Sequence, residues 1–101
     1  MHIMLTVTYP PDKAVEVSRI ALKNQQENPL SSFIKTVGTF VTSSLESGVK
    51  VVVIYEIDAG KEDDGRKEIA KGVVQLFSVE GLRYSSETVL TAEEATALLP
   101  L

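Results

Sequence analysis

The sequence predicts an α+β sandwich, a four-stranded antiparallel sheet with two helices on one face and a short C-terminal helix. Three observations point there. Strand-like and helix-like stretches follow one another in the order β-α-β-β-α-β. The two middle strands are joined by a five-residue turn, which makes them a hairpin. The two most apolar strands are the first and the third, and right-handed crossovers in each β-α-β half make those two central.

His2 to Tyr9 is an apolar, β-branched run closed by Pro10 and Pro11, which reads as the first strand. Alternation puts Ile3, Leu5, Val7 and Tyr9 on one face and His2, Met4, Thr6 and Thr8 on the other. A helix is predicted from Pro11 to Lys23. Proline suits its first turn, Asp12 complements its dipole, and Ala14, Val17, Ile20 and Ala21 form its apolar stripe. Asn24 to Pro29 lacks periodicity and reads as a loop.

Ser32 to Ser43 is rich in Phe, Ile, Val and Thr and reads as a long strand, with Gly38 marking a bulge or a close approach. Ser44 to Gly48 turns the chain into a third strand, Val49 to Ile57, whose near-continuous apolar run suits an interior position. Lys50 and Glu56 flank that run as gatekeepers against aggregation. After Asp58-Ala59-Gly60, the acidic start Glu62-Asp63-Asp64 and the apolar spacing of Ile69, Val73, Leu76 and Phe77 predict the second helix, stopped at Gly81. Leu82 to Leu90 alternates with more polar residues and reads as an edge strand. Thr91 and Glu94 form a capping box for a short helix from Ala92 to Leu99, closed by Pro100.

At 101 residues the chain is expected to form one domain spanning 1–101. Its 44% apolar and 24% charged content and mean hydropathy of +0.08 are those of a folded globule. Several function classes fall away on composition. There is no cysteine, which removes disulfides, thiolate metal sites and cysteine nucleophiles. The one histidine, His2, leaves no partner for a catalytic triad and no second imidazole for a transition metal. A net charge of −4 argues against nucleic acid, whose affinity rests on clustered Lys and Arg. The first residues lack a signal peptide's basic segment, and no apolar run approaches the ~20 residues of a membrane span. The expectation is a cytoplasmic protein without membrane association.

On its element order and the strands HIMLTV and VKVVVIYEI, the stretch from residue 2 to 91 resembles the ferredoxin-like small domains. In particular it resembles the dimeric α+β barrel group, in which two open sheets pack face to face around a cavity. That group includes cofactor-independent monooxygenases, isomerases, dehalogenase-like proteins and plain ligand-binding or regulatory domains, so the resemblance implies a fold and leaves activity open. Other ferredoxin-like families fit less well. RNA-recognition domains need aromatics on the central strands, and VKVVVIYE offers only Tyr55. Metal-transport domains need a C-x-x-C pair, and acylphosphatase-like sites need a glycine-rich anion cradle. Amino-acid-binding regulatory domains commonly place a glycine where this chain has Pro10 and Pro11.

With both helices on one side, the other sheet face is open. Alternation gives it Met4, Thr6 and Thr8, then Val52, Ile54 and Glu56, then Arg83, Ser85 and Glu87, a set too apolar to be fully solvated. Ile34 and Phe40 join it if the second strand pairs regularly. The expected cover is a second copy of the same surface, a homodimer through the open face.

The residues expected to meet a ligand or a partner are His2, Met4, Thr6, Thr8, Ile54, Glu56, Arg83 and Glu87. His2 is either an exposed or partly packed terminal residue or a general base, since an unperturbed imidazole titrates near ~6.5. Glu56 and Arg83 read first as ion-pair members and second as ligand contacts. Glu62-Asp63-Asp64 lacks calcium-loop spacing and reads as a solvated helix start. Tyr9, Tyr55 and Tyr84 fall on the helix side as core aromatics. No metal and no cofactor is expected.

Two functions are compatible with this pattern. The first is a homodimeric module binding a small molecule or a partner protein. The second is a cofactor-independent monooxygenase or isomerase using His2 or Glu56 for proton transfer in a sheet-lined cavity. A third possibility is a subunit whose edge strands pair with neighbours.

Overall fold

The computed structural model describes residues 1–100. Strand β1 (His2–Tyr9) leads through a 3-10 turn (Pro11–Lys13) into α1 (Ala14–Glu27), followed by β2 (Ile34–Ser44), β3 (Gly48–Ile57), α2 (Glu62–Val74), β4 (Arg83–Val89) and α3 (Ala92–Thr96). The four strands form one antiparallel sheet in the order β2-β3-β1-β4, the ferredoxin-like arrangement, with the two apolar strands at its centre.

The core lies between the sheet and the two long helices. Ile3, Leu5, Val7 and Tyr9 alternate along β1 as its buried residues, packed with Val17 of α1 and Ile69 and Val73 of α2. Ile57, at the end of β3, is the most completely enclosed side chain at 1% exposure. The turn into β3 depends on Gly48, which has φ +69° and whose hypothetical Cβ would lie 2.6 Å from the Tyr9 carbonyl oxygen. Only glycine fits that backbone crossing.

Five details depart from the sequence reading. Helix α1 continues through Asn24, Gln25, Gln26 and Glu27, where polarity suggested a loop. Its last turn is mostly solvated, so it needs no apolar stripe, and Gln and Glu are good helix formers. The chain leaves the helix at Asn28, immediately before Pro29.

Helix α2 ends at Val74, well before Gly81. The chain then tightens into turns with i→i+3 bonds, Leu76 N–H to Val73 O at 2.9 Å and Phe77 N–H to Val74 O at 3.1 Å. Glycine and β-branched residues at Gly72-Val73-Val74 weaken helix propagation there. Leu76 still packs against the core, but Phe77 leaves the predicted stripe and is exposed.

In β2 the extra residue is Val37, between Thr36 and Gly38. Because side chains alternate, one inserted residue exchanges the faces of the two halves of the strand. Ile34 therefore sits buried in the core, opposite Ile57, while Phe40 stands on the open face, opposite Val52. Regular pairing, which would have put both on the open face, does not occur.

Finally, Tyr84 lies on the helix side as expected but is exposed, because the early end of α2 leaves β4 uncovered there. It stacks on Phe77, ring centroids 5.6 Å apart. Tyr9 is buried and Tyr55 half-buried, and burial pushes the Tyr55 hydroxyl pKa up. Helix α3 is shorter than predicted, ending at Thr96, but has the full capping box. Glu94 N–H donates to Thr91 Oγ1 at 3.1 Å and Thr91 N–H donates to Glu94 Oε1 at 2.9 Å.

Candidate functional site

The register resolves the helix-free face into rows that cross the strands. At one end, His2 lies between Glu56 of β3 and Val89 of β4, with Lys35 of β2 beyond Glu56. The next row places Met4 between Ile54 and Glu87, with Gly38 beyond Ile54. Thr6 follows between Val52 and Ser85, with Phe40 beyond Val52. At the far end Thr8 lies between Lys50 and Arg83.

His2, Met4, Thr6, Thr8, Ile54, Glu56, Arg83 and Glu87 thus share this face, but they are not one cluster. Glu56 and Arg83 stand at opposite ends of it, about 20 Å apart at the usual strand rise, so they make no ion pair with each other within the chain. The chain brings Glu56 to His2 instead.

Phe40 is 64% exposed although it is a phenylalanine on a sheet face. Its ring folds back over Gly38, whose hypothetical Cβ would lie 2.9 Å from Cε2. With half-buried Met4, Val52 and Ile54 it forms an apolar centre, framed by charged residues at both ends.

The polar group of most chemical interest is at the His2 end. His2 Nε2 lies 4.0 Å from Glu56 Oε2, and His2 Nδ1 lies 3.7 Å from Glu94 Oε1. The imidazole is 21% exposed, and its Nδ1 is sealed from solvent without a hydrogen-bond partner. Both carboxylates are about half-exposed. The Thr91 backbone N–H, then the Thr91 hydroxyl, hold the Glu94 carboxyl below its ordinary pKa, with smaller help from His2 and the amino terminus. An imidazole flanked by two carboxylates, each just beyond hydrogen-bond distance, can pass a proton to or take one from a group bound beside it.

Glu94 is the residue that the sequence reading missed for this site. Its T-x-x-E spacing revealed the helix cap, and that explanation accounted for the side chain. That α3 returns to the start of β1 is a tertiary fact with no local signal. Among the described residues, no group of three or more His, Asp or Glu could hold a metal ion, and no helix is long and apolar enough to cross a membrane.

No protein-family model matches the chain, and no curated protein matches it in sequence. Solved structures do share its fold. The C-terminal domain of the MgtC protein from Mycobacterium tuberculosis aligns with a TM-score of 0.50 at 11% identity, covering 90% of this chain and 92% of that one. A Deinococcus radiodurans protein proposed to be an antibiotic biosynthesis monooxygenase aligns with a TM-score of 0.50 at 12% identity, covering 91% and 95%. Rv0793 from Mycobacterium tuberculosis gives 0.53 at 10% identity, covering 89% and 95%. At such identities the likeness establishes the ferredoxin-like fold alone.

Proposed function

We propose that the chain acts as a homodimer whose two helix-free sheet faces meet and enclose a site for a small organic ligand. The supporting observation is surface in excess of a monomer's. The chain exposes 7138 Å², where a compact protein of 11.0 kDa exposes about 5,600 Å². Its radius of gyration, 14.9 Å, likewise exceeds the ~12.7 Å usual for this length. The surplus of about 1,500 Å² is more than one partner's share of a standard interface, ~800 Å².

Charge supports a self-complementary arrangement. The Thr8 end of the face carries Lys50 and Arg83, while the His2 end carries Glu56 and Glu87 with Glu94 beside them, against one lysine, Lys35. A two-fold axis that runs the partner's strands in the opposite sense sets each basic end over the other copy's acidic end. Each strand then lies over its own copy, so Lys50 faces Glu56 along β3 and Arg83 faces the Glu87 end of β4. Light scattering tests this reading directly. The wild-type chain should have twice the chain mass, and Phe40→Asp should have the single mass with an unchanged circular dichroism spectrum. A wild-type monomer at tens of micromolar concentration overturns it.

One observation favours a second reading, a cofactor-independent enzyme of the monooxygenase or isomerase kind. It is the His2 imidazole, with Nε2 4.0 Å from Glu56 and the unpartnered Nδ1 3.7 Å from Glu94. One of the structures sharing the fold is itself proposed to be a monooxygenase. The two readings separate on His2→Gln. An enzyme loses turnover while keeping its dimer mass, and a binding module changes only its ligand affinity.

A further inference from the structure

A concave site lies on the helix-covered side of the sheet, and it goes beyond the dimer reading. Because β4 turns only Tyr84, Ser86 and Thr88 toward the helices, no large aliphatic side chain of that strand fills the space beneath α2. A groove of about 300 Å³ remains between α2 and β4, at the lower limit of small-molecule sites. Its floor is apolar, with buried Ile3, Ile69 and Val73.

The two ends differ in chemistry. At one end the Arg66 guanidinium is the only charged group of the lining, with Nη2 3.3 Å from Thr88 Oγ1 and 3.2 Å from Met1 Sδ. The ion pairs among the described residues are His2–Glu56, His2–Glu94 and Lys13–Glu16, so Arg66 has no carboxylate partner there. The acids of the first α2 turn, Glu62, Asp63 and Asp64, do not line the groove. At the other end stand the stacked rings of Phe77 and Tyr84, both exposed. From Thr88 to Tyr84 the strand rises about 14 Å.

The geometry points to a site for a small monocarboxylate with an extended apolar tail, the chemistry of a medium-chain fatty acid. The carboxylate meets the Arg66 guanidinium and the Thr88 hydroxyl, and the tail runs over Ile69 and Val73 to the aromatic pair. A cation without an anion at the mouth of an apolar groove is complementary to that one class. A neutral apolar molecule leaves Arg66 unanswered. A dianion places a second charge over aliphatic side chains.

The test is a titration of the full chain with decanoate below its aggregation concentration, followed by amide NMR shifts, with decanol as the neutral comparison. Saturable shifts at Ile69, Val73, Ser86 and Thr88 are expected, with decanol binding about tenfold more weakly. Arg66→Gln should weaken decanoate by about the same factor and leave decanol unchanged. Ala70→Trp, which fills the groove from α2, should abolish both. The proposal is overturned if decanoate shifts map to Ile54 and Phe40, if no saturable shift occurs, or if decanoate and decanol bind alike. Arg66 and Ala70 lie off the open face, so both variants keep the wild-type mass in light scattering. Failure of this site is thereby distinguishable from failure of the dimer.

Discussion

Gly65 of α2 faces Ile57 of β3 so closely that a Cβ added to it would lie 2.6 Å from Ile57 Cδ1 and 2.7 Å from Cγ2. This is where the second helix rests on the sheet. Gly65 has no positive φ, so the glycine is needed for the contact and not for the backbone. Ile57 is enclosed on all sides and β-branched, which leaves it no room to yield. Gly65→Ala gains up to ~1 kcal/mol of helix propensity but incurs ~1–3 kcal/mol of overpacking. The expected result is a net loss of about 1–2 kcal/mol in denaturant unfolding. In a Gly65→Ala background, Ile57→Val should be less costly than in the wild type, because it removes the clashing Cδ1.

Gly38 makes an apparently similar contact with Phe40, 2.9 Å from Cε2 and 3.0 Å from Cζ. Here the neighbour is the far end of an exposed side chain that can swing away. Gly38→Ala should therefore change stability by less than about 1 kcal/mol. It should instead lift the Phe40 ring off the sheet and weaken the proposed dimer, a change read as a shift in its dissociation constant by light scattering or sedimentation.

The loop entering β2 is tied to α2 by a carboxylate. Glu68 accepts from the Ser31 hydroxyl and, at 3.1 Å, from the Ser31 N–H. These bonds, the hydroxyl first, hold its carboxyl below the ordinary value of 4.5, with Lys71 assisting. A depressed folded-state pKa contributes stability that is present above the unfolded value and lost as pH falls through the folded one. Glu68→Ala should cost about 1 kcal/mol near neutral pH, the modest figure that suits a solvated pair. The gap between variant and wild type should narrow as pH drops below about 4.5 and close at lower pH.

Thr91 holds α3 and, through it, Glu94. In Thr91→Ala the hydroxyl that accepts from Glu94 N–H is gone, while Glu94 Oε1 keeps only the backbone donor. Hydrogen exchange at the Ala95 and Ala97 amides, which bond to Thr91 O and Glu93 O, should accelerate several-fold. The His2 ring resonances should move as well, because Glu94 stands 3.7 Å from Nδ1. An unchanged imidazole spectrum would separate α3 from the candidate site.

Much of this was legible in the chain itself, for identifiable reasons. The alternation of β1 assigned His2, Met4, Thr6 and Thr8 to one face, and the register agrees residue by residue, because a strand's period of two leaves a single alternative. The same rule failed for β2, where Val37 is inserted and Ile34 and Phe40 part company. Gly38 signalled an irregularity without saying which residue was extra. The polar tail of α1 was misread because amphipathic periodicity exists only where a helix covers something. Phe77 was misplaced because its spacing fits a helix that the Gly72-Val73-Val74 stretch does not sustain.

The order of elements and the face of each β1 and β3 side chain were fixed locally, by turn residues and by apolar periodicity, which act over a few neighbours along the backbone. Three things depended on segments far apart in the chain. The third helix comes back to place Glu94 beside His2, Glu56 ends up with the imidazole rather than with Arg83, and Arg66 stands above an apolar groove with no carboxylate partner among the described residues. Contacts between remote segments are set by how layers pack, and no short stretch of residues encodes that packing.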